Sequence, residues 1–255
     1  MKKLIAANWK MNKNSEEATS FIKELKQLIS DEKNVEVVIF PPFTLLREMK
    51  NLIRNSSIKI GAQNMFCESS GAFTGEISPL MLKDAGCEYV ILGHSERREI
   101  FYEKDSLINK KVVSALKNSL VPILCVGENS EQKNQGKAKE IIESQLKNCL
   151  KDISKDDISK ISIAYEPVWA ISRGNPNHKA ATAQDAEEGH KFIRKVIATS
   201  YEKFTAKKMR IIYGGSMKPE NAKELLAMPD INGGLVGNAS LDAKSFAEII
   251  KFASH

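Results

Sequence analysis

The stretch Ile161-Ser162-Ile163-Ala164-Tyr165-Glu166-Pro167-Val168-Trp169-Ala170 runs from an alternating apolar segment to a carboxylate and then a proline. Residues 161–165 read as a strand. Pro167 cannot continue a ladder and forces an extended exit, which puts Glu166 at the strand's C-terminal end. Trp169 and Ile171 follow on a segment that is apolar yet loop-like. An apolar loop beside a strand-end glutamate fits a lid that closes over a general base and excludes water. A buried strand end with an incidental glutamate fits this stretch equally well, so the decision lies with the rest of the chain.

Outward from 161–165, short apolar runs recur at 4–7, 35–40, 58–61, 89–92, 121–126, 209–213 and 234–236. Their average separation is roughly thirty residues, the length of a βα unit. Amphipathic patterns fill the gaps. Phe21, Ile22, Leu25, Leu28 and Ile29 recur at helical spacing within 16–29, with Ser15 as the expected N-cap. Phe192, Ile193, Val196 and Ile197 do so within 184–199, behind Thr182 as cap, and Phe246, Ile249, Ile250 and Phe252 form the stripe of the last helix. Strands alternating with helices, with no linker between them, predict an α/β fold: a closed (β/α)8 barrel of eight parallel strands, a single domain over 1–255. A doubly wound open sheet would want a glycine-rich fingerprint after the first strand, and Ala7-Asn8-Trp9-Lys10 is not one.

Length and composition agree. The 255 residues match the roughly 250 typical of such a barrel, and 42% hydrophobic residues suffice for a sizeable core. No apolar run approaches the roughly 18 residues of a membrane span, and the apolar run after Met1-Lys2-Lys3 is too short for a signal peptide. A cytoplasmic location is the expectation. Cys67, Cys87, Cys125 and Cys149 have neither zinc-site nor disulfide-framework spacing, which fits reduced thiols. The net charge of +6 raises nucleic acid or an anionic metabolite as partners. The lysines, however, are scattered among acidic residues along helices, without a long basic run, so no nucleic-acid and no membrane partner is expected.

In a parallel barrel the reacting groups sit at the C-terminal ends of the strands. Asn8, Lys10, His94, Glu166, Ser216 and Gly237 all lie at such ends, and so converge although far apart in sequence. Glu166 is the candidate base: a carboxylate in a water-poor pocket has a raised proton affinity and can remove a proton alpha to a carbonyl. His94 precedes Ser95-Glu96-Arg97-Arg98, which reads as a helix start. A helix N-terminus disfavours the imidazolium, and a neutral ring can polarise a carbonyl. A lone histidine is more often structural, and an exposed lysine is common. The company of Asn8, which points the same way two residues before Lys10, favours Lys10 as a cation for developing negative charge. Gly214, Gly215 and Ser216, with Gly237 and Asn238, offer backbone N–H groups to an anion after strands seven and eight.

Asn8-Trp9-Lys10, Gly93-His94-Ser95-Glu96-Arg97-Arg98, Tyr165-Glu166-Pro167-Val168-Trp169-Ala170 and Tyr213-Gly214-Gly215-Ser216 occur in that order. In this the chain resembles the triosephosphate isomerase family from its first strand to its last helix. The resemblance implies the TIM-barrel fold and an isomerase that interconverts dihydroxyacetone phosphate and D-glyceraldehyde 3-phosphate through an enediolate, in glycolysis and gluconeogenesis. It implies Glu166, His94, Lys10, Asn8 and Glu96 as catalytic, Glu96 being an essential carboxylate behind the reacting groups. It also implies Asn8, Lys10, Ser172, Gly214, Gly215, Ser216, Gly237 and Asn238 as the substrate and phosphate site, and Cys125 as a packing residue. No cofactor and no metal is expected. The long connection 63–79, with Met65, Phe66 and Phe73, suits burial against a partner subunit, with folding back on its own barrel as the alternative. By resemblance it inserts into a second copy, giving a homodimer.

The chain departs from the family's pattern twice. The usual pair of glycines after strand eight is Gly237-Asn238, and Asn tolerates a left-handed backbone better than most residues. The lid reads Ala170-Ile171-Ser172-Arg173-Gly174, then Asn175-Pro176-Asn177-His178, then Lys179-Ala180-Ala181, so Asn175 to His178 reads as an insertion before the C-terminal hinge. A non-catalytic phosphate-binding or scaffold barrel is the rival reading. It has no use for a base, and Glu166, His94, Lys10 and Asn8 are all present.

Overall fold

Eight strands close into a parallel barrel in sequential order in a computed structural model that describes residues 1–171 and 180–254. The strands are β1 (Lys3–Asn8), β2 (Val35–Phe40), β3 (Lys59–Ala62), β4 (Tyr89–Leu92), β5 (Val121–Val126), β6 (Ser162–Tyr165), β7 (Ile211–Tyr213) and β8 (Gly233–Val236). Closure is made by β8 on β1, with Gly233 opposite Leu4 and Val236 opposite Ala7. Helices lie between the strands along the chain, so each crossover is a βα unit.

The period-two alternation decides which side chains meet. Leu4, Ala6, Val38, Phe40, Tyr89, Ile91, Ile123, Cys125, Ala164, Ile212 and Leu235 form one buried cluster, the barrel interior. Their strand neighbours, such as Ile5, Ala7, Val37 and Ile39, instead pack with Phe21, Ile22, Leu25, Phe246, Ile249 and Ile250 from the outer helices. Cys125 is an interior packing residue, as expected. Extending the interior parity beyond the strands points Asn8, Glu166, Gly214 and Gly237 at the C-terminal mouth.

The N-terminal mouth is closed by polar side chains. Glu36 Oε1 accepts from Lys59 Nζ at 2.8 Å and from the Tyr89 hydroxyl at 2.6 Å, and Arg210 donates to Glu36 Oε2. These bonds hold the Glu36 carboxyl down at about 2, although burial pushes it the other way.

Helix boundaries differ from expectation in one instructive place. The first helix is Ser15–Leu28, and its cap is Asn14, not Ser15. Asn14 Oδ1 accepts the Glu17 N–H at 3.0 Å while Glu17 Oε2 accepts the Asn14 N–H at 2.8 Å, a reciprocal box that Ser15 could not form with Glu17. Thr182 does cap the helix Ala183–Ser200. In the 63–79 connection Met65 is buried in this chain's own core, which corrects its assignment to a partner surface. Residues 68–76 are exposed, with Phe73 packed at a tilt against Phe66, 4.6 Å between ring centres.

Candidate active site

A cleft of about 1010 Å³ opens at the C-terminal mouth of the barrel. Asn8, Lys10, His94, Glu96, Glu166, Gly214, Gly215, Ser216, Gly237 and Asn238 all line it. The structure therefore brings together every expected site residue it describes. Ser172 and the segment Asn175 to His178 lie outside the described residues; Ile171 and Ala180, on either side of that segment, both line the cleft.

Lys10 leaves β1 in a left-handed conformation, φ 52°. Asn8 Oδ1 accepts the Lys10 N–H at 3.0 Å, and Gln63 Nε2 donates to the Lys10 carbonyl at 2.8 Å. The local turn is thus fixed on both sides of the strained residue. Its ammonium pairs with Glu96 Oε1 at 2.7 Å, at the cleft wall beside Gly237.

His94 caps the five-residue helix Ser95–Glu99 with its own ring: Glu96 N–H donates to Nδ1 at 3.3 Å. A nitrogen that accepts carries no proton, so this bond favours the tautomer with hydrogen on Nε2. Nε2 in turn lies 3.0 Å from Glu166 Oε1.

Glu166 is 2% exposed. Its Oε2 accepts the Ser95 N–H at 2.8 Å, whereas Oε1, despite its nearness to His94, receives no well-directed hydrogen bond. Burial pushes the carboxyl's pKa up. His94 alongside, the Ser95 N–H and Lys10 nearby more than offset this and hold it below the usual carboxylate value. In this arrangement the expected rise in proton affinity is therefore reversed. The expectation counted burial and missed the donors gathered around the carboxylate.

Two N–H groups of the turn after β7 are engaged within the chain. Gly214 N–H donates to the Tyr165 carbonyl at 2.7 Å, and Ser216 N–H to the Ala170 carbonyl at 3.1 Å. Gly214 contributes clearance instead: a Cβ there would come within 2.7 Å of Glu166 Cγ. Beyond Glu166, the turn Val168–Ala170 is tied down by Glu128, whose carboxylate accepts Trp169 Nε1–H at 2.6 Å and the Tyr165 hydroxyl at 3.2 Å. Among the described residues no group of acidic, histidine and cysteine side chains could hold a metal ion.

The chain matches the Triosephosphate isomerase family model over residues 3–253. It belongs to the triosephosphate isomerase family. Its relatives include the triosephosphate isomerase of Fusobacterium nucleatum, 53% identical over 248 residues and covering 97% of each chain. That of Finegoldia magna is 53% identical over 253 residues, covering 98% of each. That of Dictyoglomus turgidum is 50% identical over 250 residues, covering 98% of this chain and 99% of the relative.

Within this triosephosphate isomerase barrel, sequence reading missed Gln63 and the role of Arg98. Arg98 Nε donates to the Gly93 carbonyl at 2.7 Å and Nη2 to the Cys125 carbonyl at 3.2 Å, tying the ends of β4 and β5 together beneath His94. Two consecutive arginines in a motif give no hint which one turns inward. Gln63, a polar residue directly after β3, stood at a strand end like the others and was the findable one.

Proposed function

We propose that the cleft carries out proton transfer between the two carbons of a triose phosphate, with Glu166 as base and His94 as electrophile. The chain is an isomerase that interconverts dihydroxyacetone phosphate and D-glyceraldehyde 3-phosphate, the reaction that serves glycolysis and gluconeogenesis. The observation that carries the assignment of roles is the closeness of a buried carboxylate oxygen, Glu166 Oε1, to a histidine nitrogen 3.0 Å away in the cleft.

Glu166 takes a proton from the carbon alpha to the carbonyl, and the C–H electron pair becomes the C=C bond of an enediolate. The carbonyl oxygen gains the negative charge. His94 Nε2–H donates to that oxygen and moves its proton between the two oxygens, and the Lys10 ammonium lies close enough to balance the charge. The protonated Glu166 then returns its proton to the neighbouring carbon. To reach the substrate the carboxylate leaves the Ser95 N–H. That removes a donor that lowers its basicity while burial, which raises it, remains. Glu96 holds Lys10 and does not itself touch the reacting carbons in this reading.

Ser216, Gly215, Gly237 and Asn238 are proposed to receive the phosphate, with Ser172 from the lid. Their place after β7 and β8, lining the cleft with Gly237 beside Lys10, supports this. No cofactor enters the reaction as written.

The chain is proposed to act as one barrel over 1–255 and as a homodimer through 63–79. The exposed 68–76 segment with Phe73, and exposed Met11, Phe101 and Tyr102, support a second copy as its cover. A cytoplasmic location is proposed on the four free cysteines. No helix among the described residues is long and apolar enough to cross a membrane. A coupled isomerase assay with dihydroxyacetone phosphate tests the reaction, and absence of turnover by the folded protein would refute it.

A further inference from the structure

β4 pairs with β5 only as far as Leu92 opposite Leu124, because the chain then turns into Gly93 and His94. β5 runs on, and its next residues still need partners on both sides. Toward β6 they find backbone: Glu166 N–H donates to the Val126 carbonyl at 2.8 Å and Val168 N–H to the Glu128 carbonyl at 2.9 Å. Toward the missing strand the alternate residues find side chains. Cys125 C=O takes Arg98. Gly127 takes Gln145, from the outer helix Ala138–Cys149: Gly127 N–H donates to Oε1 at 2.8 Å, and Nε2 donates to the Gly127 carbonyl at 3.1 Å. The primary amide of Gln145 thus stands in for a strand residue and satisfies both backbone groups.

Gly127 is where this matters. A Cβ there would overlap the carbonyl of Glu166, so the two backbones lie in direct contact. Behind Glu166, Gln145, Gly127 and Val168 also border a cavity of about 120 Å³. The orientation of the Gly127 peptide sets the surface on which Glu166 and the turn after it rest.

We propose that Gln145 is a positioning residue for Glu166, acting through the Gly127 peptide. This rests on Glu166 being the base. Releasing the amide lets the Gly127 peptide rotate toward water and moves the Glu166 backbone with it. A displacement of about 1 Å at a reacting group can cost on the order of 10²-fold in rate.

The test compares Gln145→Met, Gln145→Glu and Glu166→Gln, alone and combined, in the full-length enzyme. Met keeps length and bulk and removes both hydrogen bonds; Glu keeps the acceptor for Gly127 N–H and removes only the donor. Gln145→Met is expected to lower kcat about 10- to 100-fold with KM changed by less than about twofold. Gln145→Glu should fall between it and the wild type. Adding Gln145→Met to Glu166→Gln should cost less than about twofold more, because the group being positioned is already gone. If Gln145→Met does not fold, Gln145→Glu and its combination with Glu166→Gln are read by the same criteria. Unchanged kcat in the folded single variant, a loss confined to KM, or a full further loss on top of Glu166→Gln would overturn the role of Gln145. Near-wild-type turnover by Glu166→Gln would instead overturn the base assignment itself.

Discussion

Asn8 holds Lys10 in a conformation that a lysine does not choose: the Lys10 N–H meets Asn8 Oδ1 at 3.0 Å while Lys10 sits at φ 52°. A left-handed residue of this kind costs about 1–3 kcal/mol and persists only where its surroundings impose it. Asn8→Ala removes the acceptor, and Lys10 is expected to relax toward the ordinary region and carry its ammonium away from the cleft. Turnover should fall by about 10²-fold, as for other small displacements of reacting groups, with folding stability lowered by no more than about 1–3 kcal/mol. Assay and thermal melts of the same preparation check both; a variant with full activity would show that Asn8 does not position Lys10.

Glu166→Gln is expected to lower kcat by about 10²–10⁴-fold or more, the usual effect of removing a general base. Substrate affinity should be nearly unchanged, since the phosphate is proposed to be held by Gly215, Ser216, Gly237 and Asn238 and not by the Glu166 carboxylate. In the free enzyme the Glu166 carboxyl should titrate below 4.5, because the donors around it outweigh burial. Below its pKa the base is protonated and turnover is lost; above it the carboxylate is ready. The substrate's own phosphate titrates near pH 6 and masks this limb in a rate profile, so the carboxyl should be followed directly by carbon NMR. A value well above 4.5 without substrate would rule out the Ser95-bound arrangement as the resting one.

How much of this was legible follows from what each feature depends on. The apolar runs 35–40, 89–92 and 121–126 need only the chain's own composition, and those strands begin and end where the runs do. β3 is Lys59–Ala62, displaced by one residue from the apolar run, because its ends are set by pairing with β2 and β4 and not by hydrophobicity. The site residues were legible because a parallel barrel gathers strand ends. Their charge state was not. The Ser95 N–H on Glu166 and the Gln145 amide on Gly127 are bonds between elements, and no spacing along the chain encodes them.

Glu36 predicts acid sensitivity at the other mouth of the barrel. Its pKa is about 2 in the folded protein against 4.5 for an ordinary glutamate. A depressed carboxyl contributes its full stability above pH 4.5 and loses it as pH falls from there through about 2. Allowing for solvent screening of the partly exposed cluster, the contribution is about 1–3 kcal/mol. Lys59 gives the matching basic limb: its pKa is raised to about 12, so its share of the same ion pair is lost as pH rises from 10.5 through 12. Glu36→Gln should lower Tm at pH 7, and the gap from wild type should narrow between pH 4.5 and 2. A constant gap across that window would show that the carboxylate's charge is not the cause.

Thr74→Glu should weaken the proposed dimer and activity together. Thr74 is exposed on the 68–76 segment, and against a second copy an unpaired carboxylate there would be desolvated at a cost of several kcal/mol. Sedimentation and assay at matched concentrations report the two effects. A folded, fully active monomer would break the link between assembly and activity.

The turn that follows Glu166 offers the most direct handle on the lid. Trp169 Nε1–H donates to Glu128 at 2.6 Å, Tyr165 donates to the same carboxylate, and Val168 N–H donates to the Glu128 carbonyl at 2.9 Å. Glu128 is 2% exposed, and burial raises its pKa. Trp169→Phe keeps the ring against its neighbours and deletes one donor to a buried carboxylate, a loss of about 1–3 kcal/mol in whichever state makes the bond. If that bond belongs to the arrangement in which Glu166 is held by Ser95, its loss favours departure from it, and substrate should bind more tightly, by about 5- to 150-fold at most for that energy. Glu128→Gln should shift binding in the same direction, since a neutral amide accepts more weakly than a carboxylate. Because the pKa of Glu128 is raised, acid should reproduce the effect in the wild type: as pH falls through the carboxyl's raised pKa the acceptor is neutralised and the turn is released. Inhibition constants for a phosphorylated substrate analogue, measured against pH for wild type and Trp169→Phe, separate the cases. Affinity that falls in Trp169→Phe would mean that the Glu128 bond belongs instead to the substrate-bound arrangement.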